Sequence, residues 1–185
     1  MRLRFHLMLR AAFLAAALLA AACTPPRPGP EVRYEPTPMD VVRVMLELAA
    51  LRAGDVVFDL GCGDGRIVIE AVKVAGVRGV CVDIDPRRIA EARRNAAAAG
   101  VEQRVRFLEQ DLRQTDLREA TVVMLFLSHG LNLELRPKLE RELTRGARIV
   151  SHWHGMGDWT PQHTRHVTSD GRERPVFLWT VDMSN

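Results

Sequence analysis

An excess of positive charge is the first thing this sequence lacks. Its 185 residues carry 26 arginines and lysines against 23 acids, a formal charge of +3. Arg2, Arg4 and Arg10, however, all lie in the first 22 residues, which hold no acid, so residues 23–185 balance at 23 and 23. Proteins that follow a phosphate backbone concentrate positive charge, so binding nucleic acid through a basic surface is disfavoured. Cysteine is scarce as well: Cys23, Cys62 and Cys81 are the three. No C-x-x-C spacing occurs among them, which argues against a thiolate metal site. Cys62 and Cys81 fall in or beside apolar strand-like segments and read as small buried thiols. No apolar run reaches the roughly 20 residues of a membrane-spanning helix. No internal repeat or second domain is visible.

What is present begins with a leader. The three arginines form a basic start, "AAFLAAALLAAA" forms an apolar stretch, and "LAAAC" ends at Cys23. This order suits a secretory signal over residues 1–22. "LAAAC" resembles a bacterial lipobox, which implies lipidation of Cys23 and a membrane-associated protein. An uncleaved anchor or a misplaced start are the alternatives, the latter leaving the domain in the cytoplasm. Residues 23–36 are proline-rich and read as an extended tether. Residues 37–185 then form one domain, expected to be a monomer.

From Met39 the pattern becomes helical, and a helix is expected over Thr37 to Leu51, capped by Thr37 or Asp40. Beyond it strands and helices alternate. "DVVFDL", "GVCVDI", "RVRFLEQD", "TVVMLFLS" and "ARIVSHW" read as strands; helices are expected over Arg66–Ala75, Pro86–Gly100 and Asn132–Gly146. The last tolerates Pro137 early in its course. The tail holds two strands around Asp170-Gly171, a hairpin signal. This pattern predicts a doubly wound α/β fold, a mostly parallel sheet with an antiparallel edge. Such sheets bind ligands at the carboxyl ends of their strands, where strand order reverses.

The first such end carries "DLGCGDGR". Gly61, Gly63 and Gly65 follow G-x-G-x-G, not the G-x-G-x-x-G of dinucleotide folds, and no Gly-Lys-Ser/Thr follows, which excludes a Walker loop. Asp59, ahead of the glycines, would repel a phosphate and suits a cationic group. Asp83 ends the second strand, where a carboxylate accepts hydrogen bonds from both ribose hydroxyls.

With these residues in place, "DLGCGDGR", "CVDIDP" and "EQDL" are similar to the successive cofactor motifs of class I, seven-strand S-adenosylmethionine-dependent methyltransferases, which implies a Rossmann-like fold. The resemblance runs from about Tyr34 to the C-terminus. It implies that Asp59 supports the methionine moiety, that Gly61 and Gly63 admit the cofactor to the backbone, and that Asp83 binds ribose, with Asp85 as the alternate. It also implies that Asp111 meets the adenine amine beside the Leu112 backbone. "YEPTP", "LNLELRPKLERELTRGARIVSHWHGMGDW" and the terminal hairpin resemble a subfamily of membrane-anchored protein-lysine methyltransferases, of the ATP synthase c-subunit and adenine nucleotide carrier type. There the tyrosine matched by Tyr34 closes over the cofactor's amino-acid end, with Thr37 nearby. Two departures stand out: Ser128 and His129 replace a Leu-Pro or Ala-Pro pair, and His154 replaces an aromatic residue.

The expected activity is methyl transfer from S-adenosylmethionine to a protein lysine, the protein substrate being a membrane protein in the relatives. Acceptor-pocket candidates are Ser128, His129 and Asn132 after the fourth strand, and Asp158 with Trp159 after the fifth. None forms an acid–base pair, so no catalytic base is named. Acceptors of other classes (a small molecule, a lipid, RNA) and a non-catalytic cofactor-binding domain remain as alternatives. His152 and His154 would share one face of a strand, but no third ligand is fixed by spacing and no metal is expected.

Overall fold

The computed structural model describes residues 33–182; the leader, Cys23 and the tether up to residue 32 lie outside the described residues. Helix α1 (Met39–Ala49) leads into β1 (Val56–Leu60), α2 (Arg66–Ala75), β2 (Arg78–Asp83), α3 (Pro86–Ala98) and β3 (Val105–Glu109). Then follow β4 (Val122–Leu125), α4 (His129–Glu142), β5 (Arg148–His152), β6 (His163–Ser169) and β7 (Arg172–Thr180). The seven strands form one sheet in the order β3-β2-β1-β4-β5-β7-β6. β1 to β5 pair in parallel, and β7 runs antiparallel between β5 and β6. This is the Rossmann-like methyltransferase fold expected, hairpin included. Strand order reverses between β1 and β4, and that reversal opens a crevice at their carboxyl ends.

Burial on both faces explains the unbroken apolar runs: every residue of β1 and of β4 is buried. One face carries Val57, Met124 and Val150 against Val41, Met45, Val68 and Ala92 of the first three helices. The other carries Phe58, Leu125 and Ile149 against Leu131, Leu135 and Leu139 of α4. The hairpin turns at Asp170 (φ 50°) and Gly171 (φ 71°), both left-handed, as a two-residue turn of this type requires.

Several local expectations are corrected. Cys62 and Cys81 are buried but are not free thiols: they form a disulfide with Cα atoms 5.3 Å apart. Cys81 sits in β2 opposite Asp59 of β1, and Cys62 follows two residues past the end of that pairing segment, which brings the sulfurs together. Neither Thr37 nor Asp40 caps α1 from outside; Pro38 holds the cap position with no side-chain bond. Thr37 is drawn to His152, and the Asp40 carboxylate, already inside the helix, accepts from Val41 N–H and Ser169 O–H. α4 starts three residues earlier than predicted because the Ser128 hydroxyl accepts the Leu131 N–H. Pro137 therefore lies in the helix interior rather than near its start. His152 and His154 do not share a strand face: β5 ends at His152 and Trp153 has φ 71°, which turns the chain.

Candidate active site

A cavity of about 390 Å³ opens at the reversal of strand order. The predicted cofactor residues Tyr34, Thr37, Asp59, Gly61, Gly63, Asp83, Asp111 and Leu112 all line it. The segment Arg33 to Thr37 crosses it as a strap, so the last residues of the predicted tether are part of its wall.

Asp59 sits at the base, 1% exposed. Burial, with Asp64 and Asp83 nearby, pushes its carboxyl up to about 8, only partly offset by a hydrogen bond with the Val68 backbone. Its Oδ2 is buried without a hydrogen-bond partner. A buried carboxyl of that kind is costly unless a cation or donor joins it. Above it, the glycine loop has Gly61, Gly63 and Gly65 at φ 77°, 55° and 79°, where a side chain is strained.

Asp83 organises this loop. Its Oδ2 accepts the Gly63 N–H at 2.9 Å and its Oδ1 the Asp85 N–H at 2.9 Å. Each oxygen keeps a lone pair for a further donor. Asp85, the predicted alternate, is the cap of α3 instead, accepting the Arg87 N–H at 2.9 Å. Asp111 accepts the Arg113 N–H at 2.9 Å, so its carboxylate starts the short turn at Leu112–Gln114.

The strap is held from several sides. The Arg88 guanidinium lies 4.0 Å from the centre of the Tyr34 ring. Arg66 donates to the Thr37 carbonyl at 3.1 Å and grips Asp64 through Nε and Nη2. Burial alone would raise Asp64, but the Arg66 guanidinium holds it below the usual carboxylate range. Sequence reasoning misses Arg66 and Arg88; Arg66 closes the quoted "DLGCGDGR", and its reach to the strap is a tertiary contact with no local signal.

The acceptor-side candidates are placed differently. Phe126, Leu127 and Leu131 form an apolar wall of the cavity, whereas Ser128, His129, Asn132, Asp158 and Trp159 are not among its lining. Asn132 is fully buried and donates to Ser151 Oγ at 3.2 Å and to the His154 carbonyl at 3.0 Å, pinning the chain after β5. Asp158 pairs with Arg136, and the Trp159 carbonyl accepts the Trp179 indole N–H at 2.8 Å. Phe126 escapes a sequence reading because its apolar character fits a core strand equally well.

Among the described residues, no group of three or more His, Cys, Asp or Glu side chains is placed to hold a metal ion. A cradle free of side chains, an unpaired buried carboxyl and acids at three successive strand ends fit a cationic nucleoside. Comparison with known proteins matches residues 59–163 to the ANTKMT methyltransferase domain. The chain belongs to this family. The ANTKMT methyltransferase domain here is 42% identical over 153 residues to the protein-lysine N-methyltransferase of Saccharolobus islandicus, covering 82% of this chain and 95% of that protein. It is 32% identical over 168 residues to the ATP synthase c-subunit lysine N-methyltransferase of Rattus norvegicus, covering 88% and 74%. Among solved structures it resembles an RNA methyltransferase from Salinibacter ruber in complex with S-adenosyl-L-homocysteine. That likeness has TM-score 0.76 and 46% identity, over 82% of this chain and 96% of the other. This domain is an S-adenosylmethionine-dependent methyltransferase.

Proposed function

We propose that the enzyme methylates a lysine side chain of a protein, with the cavity holding S-adenosylmethionine against the glycine loop. The observation that carries the cofactor placement is Asp59, whose buried, unpaired Oδ2 calls for the positive charge that this cofactor brings. Asp83 receives the ribose hydroxyls while keeping the Gly63 and Asp85 N–H groups. Asp111 and the Leu112 backbone receive the adenine, and Tyr34 and Thr37 cover the amino-acid end.

When bound, the cofactor supplies an electrophilic methyl group on a sulfonium, which is already an excellent leaving group. What this chain adds is orientation and exclusion of water. A lysine acceptor has to arrive neutral, which at pH 7 costs about 4.6 kcal/mol from its ordinary pKa. The wall of Phe126, Leu127 and Leu131 supports this by disfavouring an ammonium next to the reacting methyl.

The relatives named as protein-lysine methyltransferases support the lysine acceptor. A second reading, RNA, draws on the name of the Salinibacter ruber structure. Charge weighs against it: residues 33–182 hold 22 basic and 22 acidic side chains. Arg66, Arg87, Arg88 and Arg113 around the cavity are each engaged by a carboxylate. Incubating the purified chain with methyl-labelled cofactor and either cell protein or cell RNA separates the two. Label on lysine, resistant to ribonuclease, is expected; label on RNA alone overturns the lysine assignment.

The leader and Cys23 support tethering of this domain to a membrane, and the Cys62–Cys81 bridge supports an oxidising compartment. Fatty-acid labelling abolished by Cys23→Ser is the expected result; label that survives the substitution removes the lipoprotein assignment.

A further inference from the structure

His152 ends β5 beside the cavity without lining it, and it is 0% exposed. Its imidazole Nδ1 lies 3.3 Å from the Thr37 hydroxyl, across 115 residues of sequence. Its ring packs on Phe126 at 4.1 Å between centres. Thr37 and Phe126 both line the cavity, one from the strap and one from just past the end of β4. The other ring nitrogen, Nε2, is buried and has no partner. An apolar side chain would fill this space without an unpaired nitrogen, so the position is unfavourable for an imidazole unless its one polar contact matters.

We propose that His152 is a positioning residue for cofactor binding, latching the N-terminal strap through Thr37 to the Phe126 wall. Thr37 is the strap's fixed point. Its side chain is held by His152, and its carbonyl by Arg66, which is itself clamped on Asp64 in the glycine loop. The latch therefore ties together three parts of the cavity that are far apart in sequence: the strap, the glycine loop and the ends of β4 and β5. Burial and the nearby Arg174 and His154 lower the imidazole to about 4, so it stays neutral and the contact persists at physiological pH.

The test is a double-mutant cycle on the full chain, read as calorimetric affinity for S-adenosylhomocysteine. His152→Ala is expected to weaken binding about five- to tenfold in the wild-type background, the size of one lost hydrogen bond with its ordering. In a Thr37→Val background the same change should cost no more than about twofold, because the shared contact is already gone. His152→Asn, whose amide reaches the place of Nδ1, should recover most of the loss. An unchanged affinity for His152→Ala, or an equal loss in both backgrounds, overturns the latch. Should His152→Ala not fold, hydrogen exchange on Thr37→Val decides. Faster exchange confined to residues 33–37 supports the latch, and an unchanged strap overturns it. The latch rests on the cavity holding the cofactor and not on the acceptor. A wild-type chain that fails to bind S-adenosylhomocysteine would remove the cofactor placement, whereas normal wild-type binding with an unaffected variant removes the latch alone.

Discussion

Gly63 and Tyr34 occupy adjoining space that leaves no room for a side chain on the glycine. A Cβ on Gly63 would stand 2.4 Å from Tyr34 Cε2 and 3.0 Å from its Cδ2, and Gly63 has φ 55°. Gly63→Ala therefore meets both backbone strain, about 1–2 kcal/mol for a left-handed residue, and a clash that lifts the strap. The expected outcome is lower thermal stability together with at least about tenfold weaker S-adenosylhomocysteine binding. Adding Tyr34→Ala should return part of the stability but none of the affinity. Thermal melts and calorimetry on the two variants check this.

Asp59 makes stability depend on pH in a defined direction. Its carboxyl is pushed up to about 8 by burial and by Asp64 and Asp83. The folded state thus holds a proton that the unfolded chain releases near pH 4. The stability of the cofactor-free protein should fall as pH rises between about 4 and 8, by at most about 1.4 kcal/mol per pH unit from this group. Asp59→Asn should flatten that slope and raise the melting temperature at pH 8, while cofactor affinity is lost. A melting curve with the same pH slope in both proteins would count against the buried acid as its source.

The Cys62–Cys81 bridge staples the glycine loop to β2 over a separation of 19 residues. Closing a loop of this size is worth about 3 kcal/mol. The double substitution Cys62→Ser with Cys81→Ser should lower stability by about that amount and weaken S-adenosylhomocysteine binding, since Cys62 lines the cavity. Denaturant unfolding with and without a reductant gives the comparison. Wild type under strong reduction should approach the double variant.

Arg148 supplies the contrasting case, stability without binding. It donates to the Ala49 and Ala50 carbonyls that end α1 and pairs with Asp55 at 2.5 Å; both side chains are largely buried. Burial works against the Asp55 charge, but Arg148, Thr121 and the Arg52 N–H hold it below the usual range. That contribution is present above the ordinary aspartate pKa and fades as pH falls through the lower, folded value. Arg148→Met leaves a buried carboxylate unpaired and should cost about 3–5 kcal/mol, with cofactor affinity preserved in the folded fraction. Urea unfolding at pH 7, paired with calorimetry, checks both halves.

The sheet and the cofactor end of the cavity are legible in the sequence because they depend on short-range signals. Apolar runs between glycine-rich turns mark buried parallel strands, and acids at Asp59, Asp83 and Asp111 stand at strand ends whatever the tertiary detail. What stays hidden depends on contacts across the fold. Cys62 and Cys81 look like two small core residues until the register of β1 on β2 brings them together. Thr37 looks like a helix cap until β5 presents His152 to it. Asn132, Asp158 and Trp159 sit at the right end of the sheet, yet their polar groups are spent on holding the loops after β5. The start of α4 escapes a pattern reading because the Ser128 hydroxyl, as a cap, outweighs the glycine that follows it.

The strap at residues 33–37 has a kinetic consequence. With the donor placed as proposed, the strap residues Tyr34 and Thr37 lie along the wall of its cavity, so loosening the strap should speed the exchange of spent product for fresh donor.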